Sequence, residues 1–277
     1  MNEMLKRSLS GAVYVILVLA CLHAGVLPFA LLMGLFLLAG ISEMMRLVLA
    51  TPRRRIFGVL WMVSLLLLFS GLTVGWFRNA APAAAPALLL ASAVMTVSLF
   101  LFTPSSLRRN TLVFIHHTLL LLDLPLFLTV ALTDPLREGT HHTPYVLSML
   151  LIIWAYDTFA YLSGKAIGRT PLAPAISPKK TREGAAGGLA GVIVVALLLG
   201  HFGDIFQTWQ WITFGLAVAI TATIGDLYES QLKRKAGVKD SSHLIPGHGG
   251  ILDRIDSLFF GAPTGFLIIL LFLYSKR

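Results

Sequence analysis

Charged residues are scarce in this chain. Only 13% of its 277 residues are Asp, Glu, Lys or Arg, against 56% hydrophobic, and the mean hydropathy is +0.81. A soluble domain keeps about a quarter of its residues charged, so the shortage excludes a soluble globular fold and implies an integral membrane protein. Cysteine is almost missing. Cys21 is the sole thiol and lies inside an apolar run, so no disulfide framework can form and the redox compartment is not legible. There is no internal repeat, and no low-complexity segment beyond an Ala/Pro stretch from Ala80 to Pro86. Acids are the rarer charge, 13 against 22 Lys and Arg, which leaves the chain at +9. A nucleic-acid binder gathers such an excess into one soluble patch. Here the cations sit in short loops between apolar runs, which argues against nucleic acid as a partner.

Runs of about 20 apolar residues predict an all-α, polytopic bundle of nine membrane helices. Their limits are near 8–24, 26–48, 56–75, 81–103, 111–132, 143–163, 184–202, 209–230 and 251–274. Lys6 and Arg7 precede the first run as they would in a signal peptide, but no small-residue cleavage site follows, so this span is read as retained. Assigning alternate loops to opposite sides separates the basic residues. Eighteen, among them Lys6, Arg7, Arg46, Arg53 to Arg55, Arg108, Arg109, Lys165, Lys179, Lys180, Lys233, Lys239 and Arg254, fall on one side. Arg78, Arg137, Lys276 and Arg277 fall on the other. The positive-inside rule makes the crowded side, with the N-terminus, cytoplasmic and the C-terminus external. The expected location is the cytoplasmic membrane. Residues 1–140 read as scaffold or lipid-facing wall. Residues 141–277 read as the catalytic region, with both long polar loops, 164–183 and 231–250, at the cytoplasmic face.

The second of these loops and its flanks carry the densest chemistry. Asp226, Glu229, Ser230 and Lys233 recur at i, i+3, i+4 and i+7, one face of a helix, and Asp253 and Asp256 share a face at i, i+3. Acids in a membrane helix are costly and usually line a polar cavity. Asp226, Asp253 and Asp256 brought together would make a hard-oxygen site suited to Mg²⁺. The alternative is interfacial pairing with Lys233, Arg234 and Arg254. The turn from Pro246 through Gly247, His248, Gly249 and Gly250 allows close backbone approach to an anion. His248 could donate to phosphate, carry a proton or bond local backbone. In the first loop, Ser177, Lys179, Lys180 and Thr181 form a credible triphosphate clamp. They lack the glycine spacing of a Walker A loop, and cytoplasmic lysines also serve as topology signal. Gly187 and Gly188 read as helix-packing positions. Asp157 could line the same cavity, while Asp123, His116 and His117 are intramembrane ionisable groups with either functional or packing roles. Glu43, three residues before Arg46, reads as an interfacial ion pair.

The run from Ser230 to Asp256 resembles the signature of the phosphatidate cytidylyltransferases (CDP-diacylglycerol synthases). Ser230, Lys233, Arg234, Lys239, Asp240, Pro246, His248, Gly249, Gly250, Asp253, Arg254 and Asp256 stand at its fixed positions. The likeness extends to Gly225-Asp226, Ser177 to Thr181, Glu183-Gly184 and Asp157-Thr158, and so covers about residues 150–274. The N-terminal half is similar only in hydropathy, its basic start and Glu43. Phe159 stands where the family usually has a small residue and Arg182 where an aromatic is common. The resemblance implies transfer of the cytidylyl group of CTP to phosphatidic acid, with Mg²⁺, a monovalent cation such as K⁺, and a homodimer. It implies Asp226 and Asp253 as metal carboxylates with Asp256 close by, and Lys233 and His248 in catalysis. Ser177, Lys179, Lys180, Thr181, Ser230, Arg234, Lys239, Gly249, Gly250, Arg254 and Asp157 are expected to bind substrate. The alternatives are another lipid-phosphate nucleotidyltransferase, a polyprenol-type kinase, or a transporter using Asp123, Asp157 and Asp226. The two halves show no matching interrupted spans of the kind many transporters carry.

Overall fold

The computed structural model describes residues 3–49, 52–77, 108–136, 141–242, 244–245 and 249–275. Helices α1 (Glu3–Ala24) and α2 (Val26–Val48) meet at Gly25, whose φ of 122° makes a one-residue reversal open to glycine. After α3 (Pro52–Trp76), α4 (Arg108–Thr118) runs through a π-helical turn, Leu119–Asp123, into α5 (Leu124–Ala131). Pro125 has no N–H to return to residue 121, and the widened turn sits where that bond is missing. Then come α6 (Thr143–Ile167), a hairpin of β1 (Pro171–Ala173) and β2 (Ser177–Thr181), α7 (Arg182–Phe202), α8 (Thr208–Lys235), one turn of α9 (Leu252–Ile255) and α10 (Leu258–Ser275).

Among the described residues, seven helical segments are long and apolar enough to span a bilayer, and α1 adds a shorter apolar stretch, Leu9–Ala24. Eight of the nine expected spans thus fall on helix, and the chain is an integral, all-α membrane protein. The fourth expected span, 81–103, lies outside the described residues. Trp76 donates from Nε1 to the Asp134 carbonyl beyond the end of α5 (2.9 Å). The end of α3 and the start of α4 are therefore at opposite ends of the bundle, as a nine-span count requires. The ninth expected span departs from the single helix read at 251–274. It breaks after one turn, where the Asp256 side chain takes the Ser257 N–H (2.7 Å) and competes with the helical ladder.

Two interfaces place the site. Along α7, Gly184, Gly187, Gly188 and Gly191 lie against Gly164, Ser163, Tyr156 and Phe159 of α6, so closely that a methyl group on any of the four would overlap its neighbour or nearby backbone. Small residues let membrane helices approach in this way, as expected for Gly187 and Gly188. The ring of Phe159, the bulky departure from the family pattern, lies over Gly191. The second interface is α8 on α10, where Trp211, Phe214, Val218, Phe259 and Phe266 are buried. On α2, Leu27, Leu31 and Leu35 form an exposed i, i+4 stripe toward lipid, while Phe29, Phe36, Leu37, Ile41 and Met44 turn inward.

Candidate functional site

The two polar loops meet at one end of the bundle. The hairpin is anchored from both sides. Thr181 caps α7, its hydroxyl accepting from Gly184 N–H (3.1 Å), and Glu183 accepts from the N–H groups of Arg169 and Thr170 (3.1 Å each). Arg234, at the end of α8, donates to the carbonyls of Ile176 (3.4 Å) and Val238 (3.2 Å), joining the hairpin to the second loop. Its Nε and one terminal nitrogen thus engage backbone at the junction of the two loops.

Beside the hairpin, between α6 and α8, lies a cavity of about 440 Å³ lined by Asp157, Ser177, Lys179, Lys180, Thr181 and Asp226, with Tyr156, Tyr161 and Leu172 among the apolar walls. Lys180 donates to Asp226 Oδ2, and Ser230 Oγ stands 3.5 Å from Asp226 Oδ1. Burial lowers the Lys180 ammonium below the ordinary lysine range, partly offset by the charges of Asp256 and Asp157. Residues that the sequence separates by up to 69 positions thus converge on one wall.

A second cavity of about 200 Å³ is lined by Asp157, Asp253, Arg254, Asp256 and Ser257, together with Ser10, Gly11 and Tyr14 of α1. Asp157 borders both cavities. The Nε of Arg254 is buried without a hydrogen-bond partner among the described residues. Helix α1, within the region read as scaffold or lipid-facing wall, therefore also lines this cavity.

Asp253 is held from several directions. Lys233 bridges Asp253 Oδ1 and the fully buried Glu229. Asp253 Oδ2 accepts from Gly250 N–H (2.7 Å), Ser241 Oγ (2.9 Å) and Ser241 N–H (3.1 Å). Gly249 has a φ of 79°, and a side chain there would meet the Asp253 carboxylate. The Gly249 carbonyl accepts from Ile245 N–H (2.9 Å), closing the glycine-rich turn. His248 and Pro246 lie outside the described residues. Lys239 is exposed and lines neither cavity.

The expected trio Asp226, Asp253 and Asp256 is not one cluster. Among the described residues, no three Asp, Glu, His or Cys side chains converge to hold a metal ion. Lysines claim Asp226 and Asp253, and Asp256 turns to Ser257. The oxygen donors are of the hard type Mg²⁺ takes, in the one- or two-carboxylate number usual where phosphates complete the shell. Asp226, on the cavity wall, fits that role.

Two groups take partners that the sequence did not indicate. Glu43 is buried (2% exposed) and accepts from Ser241 Oγ (2.7 Å), Ser242 Oγ (2.6 Å), Ile251 N–H (3.0 Å) and Leu252 N–H (2.8 Å). These contacts, and not the exposed Arg46, compensate it. Its signal was a lone acid near the end of an apolar span. His117, left open, bonds Tyr228 of α8 through Nε2 (2.8 Å) and the Val113 carbonyl through Nδ1 (2.6 Å). The second bond assigns the proton to Nδ1, so Tyr228 donates.

The sequence matches the cytidylyltransferase family over residues 5–272. It is 45% identical over 137 residues to the phosphatidate cytidylyltransferase of Haemophilus influenzae, covering 46% of this chain and 47% of that protein. It is 48% identical over 128 residues to that of Staphylococcus aureus (46% and 48%) and 50% identical over 126 to that of Synechocystis (44% and 41%). The matched stretch thus spans about half the length of each relative.

Proposed function

The chain belongs to the cytidylyltransferase family, and we propose that it transfers the cytidylyl group of CTP to phosphatidic acid, giving CDP-diacylglycerol and pyrophosphate. The carrying observation is the convergence of Lys179, Lys180, Ser177 and Thr181 with Asp226 around one cavity that shares Asp157 with a second. Two polyanions must approach each other in this reaction. The attacking lipid phosphate oxygen is already an anion, so positioning and charge neutralisation dominate over base catalysis. As that oxygen forms its bond to the α-phosphorus of CTP, the bond to the departing pyrophosphate breaks in line. Lys179 and Lys180 neutralise the triphosphate in the larger cavity. Arg254, whose buried Nε has no partner among the described residues, takes the lipid phosphate from the smaller one, beside α1.

Mg²⁺ is the expected cofactor, held by Asp226 and Asp253 with phosphate oxygens, and when bound it supplies neutralising charge to the triphosphate. Asp226, at the rim, would then exchange its lysine for the ion, leaving Lys180 to face phosphate. Asp256, Lys233 and His248 complete the proposed catalytic set, with Ser230, Lys239, Gly249 and Gly250 around the substrates. In the membrane this end of the bundle is cytoplasmic and the C-terminus external. The family resemblance further supports a homodimer and a K⁺ requirement.

Purified protein in nanodiscs, given CTP labelled in the cytosine, phosphatidate and Mg²⁺, should move label into the organic phase with one pyrophosphate released per lipid. In a parallel reaction with CTP labelled in the γ-phosphate, label entering lipid would identify a kinase and overturn the proposal. Absence of any lipid product would overturn it equally.

A further inference from the structure

We propose that Glu43 is a positioning residue that sets Asp253, and that through it helix α2 governs the geometry of the site. The inference rests on the reading of Asp253 as a site residue. Burying a carboxylate is costly unless donors replace its water, and Glu43 has four, all from the segment that leads into α9 and its first residue: two hydroxyls and the backbone amides of Ile251 and Leu252. Both oxygens are used, and those two amides belong to the residues immediately before Asp253.

The link to Asp253 is direct. Ser241 Oγ lies 2.7 Å from Glu43 Oε2 and 2.9 Å from Asp253 Oδ2. A hydroxyl has one proton, so two carboxylates separated in sequence by 210 positions share a single donor. The space between them is closed as well. A side chain on Gly250 would overlap both Glu43 Oε2 and Ser241 Oγ, so this glycine is needed for the clasp whether or not it also meets phosphate. A carboxamide at position 43 would turn an NH₂ group toward at least one amide or hydroxyl donor, opening the clasp while conserving shape.

The test compares Glu43→Gln, Ser241→Ala, Ser242→Ala and Asp253→Asn in the full chain, by hydrogen exchange and by steady-state turnover. Amides of 249–252 should exchange at least ~10-fold faster in Glu43→Gln, with the α6–α7 seam unchanged. Turnover should fall ~10- to 100-fold in kcat in Glu43→Gln and Ser241→Ala, with KM for CTP within ~3-fold. Ser242→Ala, which leaves the bridge to Asp253 in place, should stay within ~3-fold of wild type, and Glu43→Gln should add nothing further to Asp253→Asn. Unchanged exchange at 249–252 overturns the proposal. So does accelerated exchange with full turnover, or an equal, independent loss in the Asp253→Asn background, which would mark a merely structural role. If the wild type makes no lipid product from CTP, the proposed reaction fails, and the exchange measurement alone decides whether Glu43 holds this loop.

Discussion

Two lysine–carboxylate pairs build the site, and their surroundings differ. Lys180 and Asp226 join the hairpin to α8 at the rim of the larger cavity, with side chains 33% and 22% exposed. Lys233 and Asp253 join α8 to the start of α9 and are 10% and 8% exposed, with Glu229 buried beside them and Glu43 behind Ser241. A pair at a cavity rim can exchange partners with an incoming polyanion at modest cost. A pair enclosed by amides and hydroxyls keeps its geometry and presents one arrangement to whatever enters. The first is built to respond to substrate, and the second to set the frame in which it responds.

Removing the enclosed acid should therefore do the most damage. Asp253→Asn turns an NH₂ group toward either Lys233 or the three donors on Oδ2 and removes the charge, and we expect turnover to fall ~10³-fold or more, with added Mg²⁺ giving no recovery. Asp226→Asn should lose ~10²-fold and regain part of its rate at higher Mg²⁺, because Asp226 stands at the rim of its cavity and is more exposed than Asp253. A Mg²⁺ titration of both variants in nanodiscs checks the contrast. Equal losses with equal recovery would erase the distinction between the pairs.

The lysines should divide differently, between stability and rate. Lys233→Met leaves Glu229 and Asp253 buried without their cation, and breaking such a pair costs about 3–5 kcal/mol. Lys180→Met strands only a partly exposed carboxylate, and exposed pairs contribute about 0–1 kcal/mol. Thermal unfolding in one detergent should thus show Lys233→Met well below wild type and Lys180→Met near it, while Lys180→Met loses turnover. Between the two falls Gly250→Ala, whose methyl group would meet Glu43 and Ser241. We expect a destabilisation of about 1–3 kcal/mol, typical of overpacking, measured in the same scan.

The rim pair was more legible in the sequence than the enclosed one. Lys179, Lys180, Ser177 and Thr181 declare themselves by charge and hydroxyls in a short loop, and Asp226 stands out as an acid in an apolar run, so their convergence needed only the correct sidedness of the helices. The pairing of Lys180 with Asp226 was not foreseen, because local spacing favours Lys233 and Arg234 as partners. Glu43 was misread for a physical reason. An acid three residues before an arginine looks like a surface pair, and only packing of α2 against the loop before α9 reveals that hydroxyls and amides compensate it instead. The break at Asp256 was hidden by hydropathy averaging, which treats one polar turn inside an apolar run as continuous helix. The π-helical turn had a local signal, Pro125 two residues after Asp123, which an apolar count does not register.

The smallest expected effect concerns pH and isolates the rim pair. Lys180 lies outside the membrane-spanning segments, and burial lowers its pKa. Its charged form is therefore lost at a lower pH than an ordinary lysine would require. If Lys180 acts as a cation toward triphosphate, kcat/KM for CTP should decline on the alkaline side below the normal lysine range. Lys180→Arg carries a guanidinium that stays protonated throughout, so its alkaline decline should move upward or vanish, even if altered geometry reduces the absolute rate. Lys179→Arg, at an exposed neighbour on the same cavity wall, should leave the limb where it was. A limb that ignores Lys180→Arg and follows Lys179→Arg would transfer the triphosphate contact to Lys179 and leave the Lys180–Asp226 pair a fastening between hairpin and helix.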